Sequence, residues 1–144
     1  SASWPTGWSR DEGEYEGVNR GLLFIGALSA AIAVGLGAFG AHGLRGVLTP
    51  DMLAVFETGV RYQMYHALAL IVLGLARPVA PCRLLKVAGG LFIVGSVCFS
   101  GSLYLLTLAG TKGVGLVTPL GGLMLIAGWV VLAVAALRLQ QTGS

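Results

Sequence analysis

The chain has 144 residues, of which nine are Lys or Arg and six are Asp or Glu, so its net charge at pH 7 is +3. Hydrophobic residues make up 56% of the chain and charged residues 10%, whereas about 25% of a soluble domain is charged, which excludes an ordinary soluble protein. The basic residues stand singly or in loose pairs, so no run of them matches nucleic-acid phosphates, and contacts with anionic lipid head groups explain them better.

Residues 1–17 form an acidic, Trp-containing extension with four Asp or Glu. The extension has no apolar core of the length that a signal peptide requires. Trp4 and Trp8 lie close together, and large aromatic side chains are costly to leave in water. We therefore regard these two residues as candidate contacts with a partner, and a disordered acidic tail is the alternative.

Residues 18–139 are expected to form a membrane domain, followed by a short tail at 140–144. Four stretches from residue 21 onward carry no charge, and they are 24, 15, 25 and 25 residues long. A bilayer core of about 30 Å needs about 20 apolar helical residues, so three stretches are long enough alone. The fold class is therefore predicted as all-α, a four-transmembrane-helix bundle with spans at about 20–43, 51–76, 84–108 and 114–138.

The uncharged stretch of the second span is too short to cross a bilayer alone, so the residues before it must extend the helix. Thr49, Pro50 and Asp51 form a strong helix start, with a Thr cap, Pro at the first helical position and an acid in the first turn. We expect one helix from about Pro50 to Ala76, whose first turns form a short interfacial segment before the second span, with Arg61 extending its charged end toward the head groups.

Basic residues also indicate the orientation. With four spans, the side of the termini and the middle loop holds six Lys or Arg, and the other side holds three. By the positive-inside rule, the termini lie in the cytoplasm or the mitochondrial matrix. The predicted location is the inner (plasma) membrane of a bacterium or the mitochondrial inner membrane.

Small residues are frequent inside the spans, where the chain places many of its 23 glycines. Small residues four apart let helices approach closely in lipid, so a compact bundle is the simplest interpretation. The alternative is that some glycines make room for a ligand or for a neighbouring protein.

Polar side chains inside the spans are expected to gather in the outer half of the bilayer. Because unpaired polar groups are costly in hydrocarbon, these side chains should satisfy one another across helices. Tyr62 and His66 are one helical turn apart, so the phenol is expected to hydrogen-bond the imidazole. The predicted polar cluster, structural or ligand-binding, comprises His42, Tyr62, Gln63, His66, Ser100, Ser102, Tyr104 and Thr118.

Four strings of the sequence carry a resemblance to a known family. They are GAFGAHGL at 37–44, FETGVRYQMYHALAL at 56–70, FSGSLYLL at 99–106 and VTPLGG at 117–122. They resemble the YgdD family, small four-span membrane proteins of bacteria, with related forms in eukaryotes, grouped as a domain of unknown function. The resemblance covers about residues 18–137 and implies four spans without implying an activity. The acidic extension lies outside the usual pattern and suggests a role particular to this member.

Three classes of function then compete, and an enzyme is not among them, because no titratable pair or activated nucleophile stands out. We rank first a structural or accessory subunit, or interaction partner, of a larger membrane complex. Partners would be membrane lipids and other membrane subunits or further copies of the chain, without nucleic acid. The alternative is a binder of a lipid, quinone or haem-type ligand through the polar cluster, and an oligomeric transporter or channel ranks third.

No cofactor and no metal site are predicted. His42 and His66 are the only histidines, and two imidazoles on facing helices can hold a haem or a metal ion. A hydrogen-bonded packing role for His66 and a head-group contact for His42 are the simpler interpretations, because a metal usually needs further ligands.

Overall fold

The computed structural model describes residues 18–76 and 82–139, and the all-α expectation is confirmed within these ranges. Trp4 and Trp8, the rest of the 1–17 extension and the 140–144 tail lie outside the described residues. The elements are α1 (Arg20–His42), α2 (Pro50–Leu75), α3 (Cys82–Ala109), a 3-10 helix (Lys112–Leu116) and α4 (Val117–Leu139).

Helix α2 begins where the sequence predicts. The Thr49 side chain caps it and accepts a hydrogen bond from the Met52 backbone N–H at 3.3 Å. The helix then runs for 26 residues without interruption. This agrees with the helix expected from about Pro50 to Ala76, and the interfacial position of its first turns stays a prediction.

Helix α4 begins later than expected, because the 3-10 helix takes up the residues before Val117. Chain reversal after α3 occurs at Gly110, whose φ of 63° lies in the left-handed region that glycine adopts at little cost. Pro119 then falls in the first turn of α4, where its missing N–H breaks no helical hydrogen bond.

Consecutive helices form the extensive interfaces, namely α1 with α2, α2 with α3 and α3 with α4. Nine residues of α2 are buried, whereas only three are buried in α1. Helix α2 therefore lies between α1 and α3, and α1 lies at an edge. The main apolar core consists of Ala69, Leu70, Leu73, Ala88, Phe92 and Leu125.

Helices α1 and α2 touch almost backbone to backbone. A Cβ atom at Gly26 would lie 2.8 Å from the Ala67 carbonyl oxygen, and one at Gly74 would lie 2.7 Å from the Leu23 nitrogen. The Asn19 N–H also donates to the Gly74 carbonyl at 2.9 Å. These glycines allow the close approach that small residues provide in membrane helix pairs.

Three helical segments of the described chain are long and apolar enough to cross a membrane: Arg20–His42, Arg83–Ala109 and Lys112–Arg138. Helix α2 is of similar length, with 26 residues, but it is not among these three apolar segments and carries the charged residues Asp51, Glu57 and Arg61.

Candidate functional site

Gln63 joins three helices near the middle of the bundle. Its Nε2 atom donates to the Ser29 carbonyl of α1 at 3.0 Å, and its Oε1 atom accepts from the Tyr104 hydroxyl of α3 at 2.7 Å. Tyr104 packs on Gly59, where a Cβ atom would lie 2.9 Å from its ring. The missing side chain at Gly59 thus lets the Tyr104 ring approach α2 closely, where its hydroxyl reaches Gln63.

Two serines of α3 make separate contacts with the helices on either side. Ser100 donates to the Gly59 carbonyl of α2 at 2.7 Å. The Ser102 and Thr118 hydroxyls lie 2.6 Å apart and join α3 to α4. Each hydroxyl is therefore used in helix packing.

His66 forms a third site, on the side of α2 that faces α3 and α4. Its Nδ1 atom lies 2.6 Å from the Tyr62 carbonyl oxygen, and its Nε2 atom lies 3.0 Å from the Trp129 Nε1 atom. Because an indole N–H only donates, Nε2 must accept, and Nδ1 then carries the proton that is donated to the carbonyl. Both nitrogens of this neutral imidazole are thus engaged, and its ring packs against Phe92 and Trp129 at centroid distances of 5.4 and 5.8 Å.

The expected bond between the Tyr62 phenol and His66 is absent from this arrangement, because the imidazole bonds the Tyr62 backbone carbonyl. Helical side chains lean toward the helix N-terminus, which brings a residue close to the carbonyl one turn earlier. The Tyr62 ring is 41% exposed and instead packs against Phe99 at a centroid distance of 5.1 Å.

The eight predicted residues do not form one cluster. Gln63, Tyr104 and Ser100 meet around Gly59, Ser102 pairs with Thr118, and His42 is exposed at the end of α1. His66 lies 16 residues after the start of the 26-residue helix α2. The side chains therefore form several hydrogen-bonded groups, and their position in the outer half of the bilayer stays a prediction.

A groove of about 350 Å³ lies between α1 and α3, with α2 as its floor. We call it the α1–α3 groove. Its walls are mostly apolar, and its polar members include Ser29, Gln63 and Tyr104. Ser96 also lines it, and the Ser96 hydroxyl is buried without a hydrogen-bond partner.

Sequence reasoning missed Ser29, Ser96 and Trp129 as site residues. Ser29 contributes only its backbone carbonyl, which no pattern of side chains reveals. Trp129 did carry a signal, because tryptophan favours the membrane interface and a tryptophan in the middle of a span is unusual.

The described residues contain no group of three or more His, Cys, Asp or Glu that could hold a metal ion. His66 has no free ring nitrogen, which leaves it unsuited to binding haem in this arrangement. The site instead offers neutral hydrogen-bonding groups and apolar walls.

Comparisons with known proteins identify the family. The model described as "Protein of unknown function (DUF423)" matches residues 36–122, a range that includes all four strings quoted above. A UPF0382 membrane protein of Staphylococcus epidermidis is 46% identical over 117 residues, which cover 81% of this chain and 95% of the relative. The UPF0382 membrane protein YwdK of Bacillus subtilis is 46% identical over 118 residues, covering 81% and 96% of the two chains.

A UPF0382 membrane protein of Staphylococcus aureus is 44% identical over 117 residues, again covering 81% of this chain and 95% of the relative. No solved structure matches the chain. The expected membership of a membrane-protein family of unknown function is confirmed: the chain belongs to the DUF423 family.

Proposed function

We propose that this protein is an accessory subunit or interaction partner of a larger membrane complex, and that it acts by binding rather than by catalysis. One observation carries the proposal: the central helix exposes a polar face. We call this face, formed by Glu57, Arg61 and Tyr65, the α2 outer face. All three residues are exposed, and the Tyr65 side chain is 52% exposed.

The helical repeat explains why these residues are exposed on the most buried helix. Residues four apart lie on one side of a helix, so Glu57, Arg61 and Tyr65 share a face. Gln63, which is buried against α1 and α3, follows Arg61 by two residues and therefore points to roughly the opposite side. The α2 outer face is thus available to a neighbour without any change in the bundle.

The depth of Arg61 favours a protein neighbour over lipid. Val60, the neighbour of Arg61 in the sequence, lies level with Gly37 of α1. A Cβ atom added to Gly37 would be 3.4 Å from the Val60 Cγ1 atom. Gly37 precedes His42, the last residue of α1, by five residues, or roughly 8 Å of helix rise. A charge facing lipid costs about 2.5–3.5 kcal/mol at the bilayer centre and less toward the surface, so hydrogen-bonding partners on another helix would stabilise Arg61.

The proposal includes four membrane crossings. Helix α2 has 26 residues, which gives it about 39 Å of length, and it packs between α1 and α3, which are apolar enough to cross. We place the termini in the cytoplasm or matrix and the protein in a bacterial or mitochondrial inner membrane, from the distribution of basic residues. The narrower grouping with YgdD is also a proposal, supported by the four strings.

A photo-crosslinking experiment tests the α2 outer face. A benzophenone amino acid replaces Tyr65 in cells, and in a matched control it replaces Leu123, which is 62% exposed on α4. We expect a protein adduct, either with another subunit or with a second copy, from position 65 after irradiation and only lipid adducts from position 123. Adding Arg61→Ala should reduce the adduct at least fivefold, by removing about 1 kcal/mol of interaction.

Only lipid adducts at position 65, or an adduct that Arg61→Ala leaves unchanged, would contradict the proposal.

A ligand-binding role is the second candidate, because the α1–α3 groove offers apolar walls around polar groups. A haem-type ligand is not favoured, since both ring nitrogens of His66 are used within the bundle.

A further inference from the structure

The α1–α3 groove has the form of a small ligand site open to the lipid. Near the start of both helices the walls converge, since Leu22 of α1 lies 3.0 Å from where a Cβ atom would stand on Gly89 of α3. Further along the helices the walls separate and leave the space of about 350 Å³. Ligand sites have volumes of roughly 300–1,000 Å³, mostly apolar walls and a few well-placed polar groups.

None of the described residues that line the groove is charged, which limits the ligand. A phosphate or carboxylate would lose its hydration there without gaining a cationic partner, and that loss is expensive. Neutral groups, by contrast, fit the amide and hydroxyls that are present. The electrostatics therefore favour an uncharged ligand.

Two hydrogen-bond donors in the groove are not fully used. The Gln63 amide nitrogen has two hydrogens, and its one protein partner is the Ser29 carbonyl. The Ser96 hydroxyl is buried and has no partner. A buried donor without a partner lowers the stability of the fold, and a hydrogen bond to an acceptor on the ligand would offset that loss. These two donors, one on α2 and one on α3, match a carbonyl oxygen, which accepts two hydrogen bonds.

The depth of these donors restricts the ligand further. Gln63 lies 13 residues after the start of α2 and 12 before its end, so about 18–20 Å of helix separates it from either end. Charged phospholipid head groups stay at the surface, far from this level. A molecule that brings a carbonyl so deep must be soluble in hydrocarbon.

We propose that the α1–α3 groove binds an isoprenoid quinone, with a ring carbonyl accepting hydrogen bonds from Gln63 and Ser96 and the apolar remainder lying between Ile32 and Val97. The site is distinct from the α2 outer face, and either can fail without the other. Binding alone is proposed, and no electron transfer.

The variant Gly101→Leu tests the location with little risk to the fold. Gly101 lines the groove, and a Cβ atom there would meet nothing within 4 Å, so leucine would occupy the groove without a clash. Gly90 is a matched control on the same helix, because a Cβ atom there also meets nothing within 4 Å, and Gly90 is outside the groove. The full chain in phosphatidylcholine nanodiscs is titrated with decylubiquinone, with dioleoylglycerol in parallel, and binding is measured as the rise in melting temperature.

We expect saturable stabilisation of the wild type and of Gly90→Leu by decylubiquinone. Gly101→Leu should weaken binding at least tenfold, and Ser96→Ala should weaken it about three- to tenfold through loss of one hydrogen bond. An azidoquinone should label a peptide containing Val97 in the wild type but not in Gly101→Leu. Equal binding by the two leucine variants would overturn the location. Saturation by dioleoylglycerol alone would overturn the ligand class, and no response to either would overturn both.

Discussion

Replacing Gly121 by alanine should destabilise the bundle by about 2 kcal/mol or more, whereas the same change at Gly122 should not. A Cβ atom at Gly121 would overlap the backbone nitrogen of Phe99, and it would lie 2.9 Å from the Phe99 Cα atom. Backbone atoms of a helix cannot rotate away as a side chain can, so α3 and α4 must separate. Overpacking of this kind typically costs about 1–3 kcal/mol.

The control variant Gly122→Ala tests whether the loss of stability at Gly121 is steric. The methyl group of an alanine at position 122 would lie 3.7 Å from the Phe99 ring, which is ordinary van der Waals contact. Alanine also favours helix over glycine by about 1 kcal/mol, so Gly122→Ala should be neutral or stabilising.

Unfolding can be followed through the thiol of Cys98, which is partly buried and unpaired in the α3 segment that faces Gly121. In a Cys82→Ala background, a thiol-reactive dye should label Gly121→Ala at a temperature several degrees below that for Gly122→Ala. Equal melting temperatures for the two variants would show that α3 and α4 do not approach as closely as described.

The second large effect is expected at Gln63. Replacement by leucine removes both of its bonds to neighbouring helices and leaves the Tyr104 hydroxyl without its acceptor. Hydrogen bonds between membrane helices contribute about 0.6 kcal/mol to stability on average and up to about 1.7 kcal/mol. The Tyr104 hydroxyl, left without an acceptor, adds to the loss of stability. We expect Gln63→Leu to cost about 2 kcal/mol.

A double-mutant cycle separates the hydrogen bond from packing. Tyr104→Phe should lower the stability of the otherwise unchanged protein by about 1 kcal/mol. In the Gln63→Leu background the loss should be smaller, because the hydroxyl that Tyr104→Phe removes has no acceptor there. Tyr65→Phe is the control, since it removes a hydroxyl from a ring that is 52% exposed and should change stability by less than about 0.5 kcal/mol. Reversible unfolding in mixed micelles measures all four variants, and strict additivity of Gln63→Leu and Tyr104→Phe would contradict a direct bond.

The sequence predicts the helices of this protein well, because their signals are local. Long uncharged stretches mark α1, α3 and α4, and the cap at Thr49 with Pro50 marks the start of α2. The late start of α4 was missed, because neither Gly113 nor Gly115 distinguishes a 3-10 helix from an α-helix by composition.

The partners of the polar side chains were harder to predict, because they depend on how each helix is rotated about its axis. Gly121 and Gly122 are neighbours in the sequence, yet only the first meets the backbone of α3. Likewise, Gln63 and His66 are three residues apart, yet Gln63 bonds to α1 whereas His66 bonds to Trp129 of α4. Sequence spacing identifies a shared strip of α2 but does not assign its residues to α1 or α4.

The proposed four-span topology requires that α2, despite its charges, crosses the membrane between α1 and α3. In a Cys82→Ala, Cys98→Ala background, the test compares three exposed positions, Val47→Cys before α2, Arg83→Cys after it and Lys112→Cys after α3. A membrane-impermeant maleimide is applied to right-side-out and inverted vesicles. We expect positions 47 and 112 to be labelled from one side only and position 83 from the opposite side only. Labelling of positions 47 and 83 from the same side would contradict it.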